Sequence, residues 1–307
     1  MAKIKITREE LKHDEVLESA DVAVHWIRDN IKFILGTIVV ALAIYALVGT
    51  FHSRRQESLA EANDLLAEAL DKYSEAMQAH QWATPERQSA MKEVAALAQN
   101  VVEKYPDTSL ALQALLLQGN AYYSAGDDIA SSREGAPNTN EAINAYTRYV
   151  AEAKTPFDIA KGKLALAGAY ENMFFLVARP DNPTTFQQDA RRTYEEVAED
   201  EQAPPFMRAE ALLALGRLFA FQNQPAEAEK YYRQVMDLRY KPLEPISEET
   251  AVATNRAFVR QLDQQAQLFS LVGTARLELQ RLGIDVEKEY PLVKKAEEAS
   301  EEASAEG

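Results

Sequence analysis

The sequence predicts an all-α protein: an N-terminal transmembrane helix followed by a solenoid of helical hairpins. Three observations carry that prediction. Glycine is scarce, 11 of 307 residues, about half the usual roughly 7% share, which disfavours turn-dense β folds. Nineteen consecutive residues, Phe33 to Phe51 (FILGTIVVALAIYALVGTF), carry no charge. A pattern of Gly, then Ala, then Pro recurs three times in the rest of the chain.

The uncharged run comes first. A helix of that length covers about 28 Å, close to the roughly 30 Å hydrocarbon core of a bilayer. Trp26, Arg28 and Lys32 flank one end and His52, Arg54 and Arg55 the other, as residues at headgroup level do. The preceding 32 residues hold seven acids, unlike the short basic leader of a cleaved signal peptide, so the run reads as an uncleaved signal anchor. Six Lys/Arg precede the span, but near it the tally is three (Lys12, Arg28, Lys32) against two (Arg54, Arg55). That balance leans to a cytosolic N-terminus and an exported domain.

Residues 1–32 read as a cytosolic amphipathic helical segment. Thr7 and Glu10 form a capping box, and Leu17, Ala20, Val24, Ile27 and Ile31 recur at helical spacing. The stripe suits a membrane surface, a docking partner or plain extension of the span. Residues 52–85 follow as a stalk helix.

The repeat occupies 86–290. Leu115-x-x-Gln118-Gly119-x-x-Tyr122 is echoed by Leu164-x-x-Ala167-Gly168-x-x-Glu171 and Leu212-x-x-Leu215-Gly216-x-x-Phe219. Each is followed by a second pattern: Ala142-x3-Tyr146, Ala190-x3-Tyr194 and Ala228-x3-Tyr232, with Pro156, Pro204 and Pro242 each 14 residues after the Ala. A mid-helix Gly costs about 1 kcal/mol against Ala, so it needs a packing reason. Gly on one helix and Ala on the next let two antiparallel helices approach, with Leu and Tyr/Phe filling the space beside the contact. Pro then turns the chain into the next unit. The final residues, 291–307, read as a disordered acidic tail, since KKAEEASEEASAEG offers nothing for a core.

These residues resemble the tetratricopeptide repeat, a 34-residue helical hairpin. Residues 209–242 match closely, with Gly216 and Ala228 12 apart; the earlier units carry insertions, giving spacings of 23 (Gly119 to Ala142) and 22 (Gly168 to Ala190). Glu171 stands where the family has an aromatic. The resemblance implies that Gly119, Tyr122, Ala142, Tyr146, Gly168, Ala190, Tyr194, Gly216, Phe219, Ala228 and Tyr232 pack the hairpins. It also implies a groove along the first helices, lined by Gln113, Leu116, Asn120 and Tyr123, by Asn172 and Met173, and by Leu213, Arg217 and Phe221. Amides, apolar slots and one Arg suit a peptide.

Chemistry is excluded more firmly than partners are named. With no Cys there is no thiolate nucleophile, disulfide, Cys-bound metal or Cys-linked lipid. His13, His25, His52 and His80 form no i, i+4 pair, and no HExxH, phosphate loop or nucleophile elbow is present. Met173-Phe174-Phe175 reads as solenoid core. A net charge of −15 disfavours nucleic acid. The expectation is a protein that is not an enzyme and needs no cofactor or metal, with protein or peptide partners and one membrane helix.

The layout of charged N-terminal helix, lone span and repeats soon after it also resembles a bacterial family of single-pass, inner-membrane-anchored tetratricopeptide proteins with a periplasmic domain. That resemblance implies a scaffold working beside the Sec translocon and a membrane-anchored periplasmic chaperone. The alternative is a structural subunit of an envelope-spanning secretion, motility or division complex.

Overall fold

The computed structural model describes residues 8–79, 84–106, 108–127, 135–177, 185–238 and 255–290, with the side chains of 8–24, 255–262 and some further helical positions outside the description. Thr7, His80, Pro242, residues 128–134 and 178–184 of the two insertions and the tail 291–307 therefore lie outside the described residues. Among the described residues every regular element is a helix: α1 (Arg8–Ala79), α2 (Pro85–Lys104), α3 (Ser109–Ala125), α4 (Pro137–Glu152), α5 (Pro156–Val177), α6 (Thr185–Glu199), α7 (Pro205–Phe221), α8 (Pro225–Leu238), α9 (Asn255–Arg281) and α10 (Val286–Glu289).

The chain divides into two compact units, residues 1–61 and 62–307. In the first, α1 exposes large apolar side chains, among them Phe33, Val40, Leu42, Ile44, Tyr45, Leu47 and Val48. Eight of the 19 side chains from Phe33 to Phe51 are outside the description. Among the described residues no helix is long and apolar enough to cross a membrane.

The second unit is a stack of hairpins. Consecutive helices pack in chain order from α2 to α9, and α5 with α7 and α7 with α9 also touch, as the first helices of neighbouring hairpins do. Residues 62–79 of α1 complete the first hairpin: Ala62, Leu66, Ala69 and Ala76 are buried in one cluster with Met91, Val94, Leu115 and Ala121. The later turns of the segment read as a stalk, from Ala62 on, are thus part of the core. Met91, Leu115, Leu215 and Met236 have no exposed surface; each such side chain contributes about 1.5–3 kcal/mol relative to exposure.

Proline starts these helices more often than it stops them. Pro85, Pro137, Pro156, Pro205 and Pro225 each open a helix, where a fixed φ fits and no N–H is needed. Pro156 and Pro204, expected to end the second helix of a hairpin, belong instead to the entry into the next one: Pro156 is the first residue of α5 and Pro204 caps α7. Thr84 and Thr108 cap α2 and α3 by accepting from the amides of Arg87 and Ala111 at 3.3 and 3.1 Å.

The start of α4 is held differently. Ala136, just before it, sits in the left-handed region (φ 51°) and offers no side-chain cap. The buried carboxylate of Asp127 accepts from the amides of Asn138 and Thr139 at 3.2 and 2.9 Å and from the Thr139 hydroxyl at 2.7 Å. An acid at a helix N-terminus also suits the helix dipole.

Candidate peptide groove

Two of the hairpins position their groove face through a close helix–helix contact at a glycine. A Cβ built on Gly119 would lie 2.4 Å from Cε1 of Tyr146, and one on Gly216 would lie 2.2 Å from Cε1 of Tyr232. Only glycine admits a ring at that distance. Ala142, Ala190 and Ala228 have no exposed surface, and Tyr146, Tyr194 and Tyr232 are buried. Phe219 is buried and stacks on Tyr231 with centroids 5.3 Å apart, while Tyr122 packs partly buried between two core clusters.

The middle hairpin departs from this pattern. The nearest atom to a Cβ on Gly168 is the Tyr194 hydroxyl, 3.7 Å away. That hydroxyl donates to Oε2 of Glu171 at 2.9 Å. The glutamate that interrupts the aromatic pattern thus serves as the acceptor for the buried tyrosine and draws the ring off the glycine.

Tyrosine hydroxyls of the second helices reach polar groups on the first helices elsewhere too. Tyr146 donates to Oδ1 of Asn120 at 2.8 Å, and Tyr149 to Oδ1 of Asp158 at 3.2 Å. Burial, more than any neighbouring charge, pushes the phenols of Tyr146 and Tyr149 well above their ordinary value. Tyr232 is pushed up to about 12 by burial, with Glu278 adding and Arg217 and Arg281 opposing. Gly162 likewise packs on the ring of Tyr149, with a built Cβ 2.4 Å from its Cδ1.

Three of the four groove residues of α3 share one concavity, which Tyr123 does not line. Gln113, Leu116 and Asn120 line a cavity of ≈ 340 Å³ together with Leu66 and Leu70 of α1, Leu112, and Asp158 and Lys161 of α5. Apolar walls with amides and one charge of each sign can hold an apolar side chain while bonding the adjacent backbone. Leu66, Leu70, Asp158 and Lys161 were not read from the repeat pattern. The signal available for the α1 residues was helical spacing in that segment, where Ala62, Leu66, Ala69 and Ala76 make one face.

Tyr123, Glu171 and Arg217, one each on α3, α5 and α7, lie within electrostatic reach of one another. Burial raises the Tyr123 phenol most, Glu171 adds to the rise and the Arg217 guanidinium opposes it. Arg217 is exposed and acts in the same sense on Tyr194. Phe221 is 63% exposed and meets Phe175 edge-on, centroids 4.9 Å apart, with Phe174 at 6.3 Å.

Two residues expected in the groove are buried. Met173 and Leu213 are 1% and 4% exposed, so they pack the core and present nothing to a ligand. Asn172 donates to Oγ1 of Thr139 at 3.3 Å, which ties α5 to the start of α4. Conversely Phe175, read as core, is 48% exposed beside Phe221.

Comparison with known proteins adds no relative: no family model and no curated protein matches the sequence.

Proposed function

We propose that this protein is a non-enzymatic, membrane-anchored scaffold that binds protein or peptide partners through a tetratricopeptide-like groove. It handles exported polypeptides in a bacterial envelope, near the Sec translocon and periplasmic chaperones, with its N-terminus in the cytosol and its repeats in the periplasm. The observation that carries the binding function is the cavity between α1, α3 and α5, where Gln113 and Asn120 stand among leucines. The exposed Phe175–Phe221 pair supplies a second apolar contact on the α5 and α7 ends. Amide donors and acceptors recognise backbone, and apolar slots tolerate many side chains, which fits clients of varied sequence.

Anchoring rests on the uncharged run and on the exposed apolar side chains of α1. Phe33, Tyr45 and Leu47 are 78%, 78% and 69% exposed. Hydrocarbon would cover such a surface at no cost to any protein contact.

A photoreactive amino acid placed at Gln113 or Phe221 in living cells tests this reading. Crosslinks to many exported chains are the expected result. Leu116→Glu with Phe221→Ala lowers that capture by about tenfold while leaving helicity by circular dichroism unchanged. Capture of one stoichiometric envelope protein assigns the structural-subunit role instead, and no capture from either position removes the groove function.

A further inference from the structure

Helix α9 closes the described stack, and it uses one face to do so. Val272, Ala275 and Leu279 are buried in the cluster that includes α7 and α8. The opposite side carries Phe269 and Leu277, 64% and 58% exposed. Between them lies Gly273, exposed, with nothing within 4 Å of a Cβ built on it. A mid-helix glycine costs about 1 kcal/mol, and the other helical glycines of close approach, Gly119, Gly162 and Gly216, each have a tyrosine ring against them. Among the described residues no ring stands against Gly273.

We infer that α9 is a self-association face, and that a second copy of this chain packs on it antiparallel about a two-fold axis through Gly273. The spacing is self-complementary. Phe269 is four residues before Gly273 and Leu277 four after, so the axis sets Phe269 of one copy level with Leu277 of the other, on both sides of two facing glycines. The glycines let the helix backbones close, as they do within the hairpins.

Charge agrees with this occupant over any other. Asp263 and Arg281 are 18 residues apart, about five full turns, and so share one flank of the helix. In an antiparallel two-fold pair each flank meets its own copy. Asp263 lies ten residues before Gly273 and Arg281 eight after, so each Arg281 comes level with the partner's Asp263 to within about 3 Å along the axis. Asp263 is exposed, and the Arg281 side chain is 73% exposed. Arg281 pairs through Nη1 with Glu278 of the same helix, at 2.7 Å, and a guanidinium has further donors for a second carboxylate. Two symmetric ion pairs then bracket the apolar centre.

A single helix pair makes a small interface, so the contact is best trapped covalently. The chain has no Cys, and Gly273→Cys places one thiol on the axis of the full-length protein in detergent. Mild oxidation is expected to give a disulfide-linked dimer much faster than the same treatment of Gln202→Cys on a remote turn. In that background Asp263→Arg or Arg281→Asp slows dimer formation by about tenfold, and the two together restore it. Circular dichroism checks that each variant keeps its helicity. Crosslinking at 273 no faster than at 202, single charge reversals without effect, or a double reversal that fails to restore the rate would each overturn the proposal, as would capture of a different polypeptide at 273.

Discussion

A methyl group added at Gly119 would stand 2.4 Å from a Tyr146 ring carbon that is itself buried, whereas one added at Gly168 meets nothing nearer than 3.7 Å. Identical substitutions should therefore have opposite signs. Gly119→Ala overpacks a tight contact and is expected to destabilise by about 1–3 kcal/mol. Gly168→Ala keeps ordinary van der Waals distance and gains helix propensity, for about 0.5–1 kcal/mol of stabilisation. Urea unfolding of the two variants, followed by helicity, decides it: equal shifts would mean that the Tyr146 ring yields freely. The sequence pattern treats these glycines as equivalent positions of one repeat. What separates them is Glu171, whose carboxylate holds the Tyr194 hydroxyl at 2.9 Å. A spacing pattern registers that residue only as a mismatch, because hydrogen bonding to a buried phenol leaves no periodic mark.

At the scale of elements, periodicity made the hairpins legible because burial on one face of a helix imposes it. The Ala-x3-Tyr segments fall on α4, α6 and α8, and the Leu-x-x-x-Gly segments on α3, α5 and α7. Junctions were harder to read. A proline near a helix boundary fits both the end of one helix and the first turn of the next, and Pro156 and Pro204 take the second role. Groove membership was legible only in part, since Met173 and Phe175 are two residues apart on α5 yet one is core and the other exposed. Positions two apart on a helix are separated by about 200° around its axis, so the two point to opposite faces, and a run of three apolar residues does not say which face is the buried one. The junction before α4 shows what fills the gap when local signals are weak. Its N-terminus depends on Asp127, 11 residues upstream of Asn138. Asp127→Ala is expected to cost about 1–2 kcal/mol, the usual price of a lost cap, and to speed hydrogen exchange at the Asn138 and Thr139 amides before any global opening. Unchanged exchange there would show that α4 starts without this carboxylate.

For the whole molecule, charge and apolar surface are distributed in a way that one average conceals. Residues 1–51 carry six basic and seven acidic side chains, and 52–307 carry 27 and 41, so the net −15 is almost entirely a property of the repeats and tail. An acidic domain is repelled by anionic lipid, and any hold on a membrane must then come from the first unit alone. There the described apolar side chains between Phe33 and Val48 are exposed, while the buried cluster of the second unit begins at Ala62. The two properties are separable by mutation. Val40→Arg with Ile44→Arg puts two charges in the middle of the run, at about 2.5–3.5 kcal/mol each for a helix centre in a bilayer. Together they reach about 5–7 kcal/mol, enough to move the protein from a wash-resistant membrane fraction into the soluble one. Unfolding of the repeats should be unaffected, because neither position belongs to a described core cluster. A parent chain that alkaline carbonate already releases from membranes would defeat the anchored reading. A variant that leaves the membrane but also loses helicity would instead tie the repeats' stability to the span, against the division of the chain at residue 61.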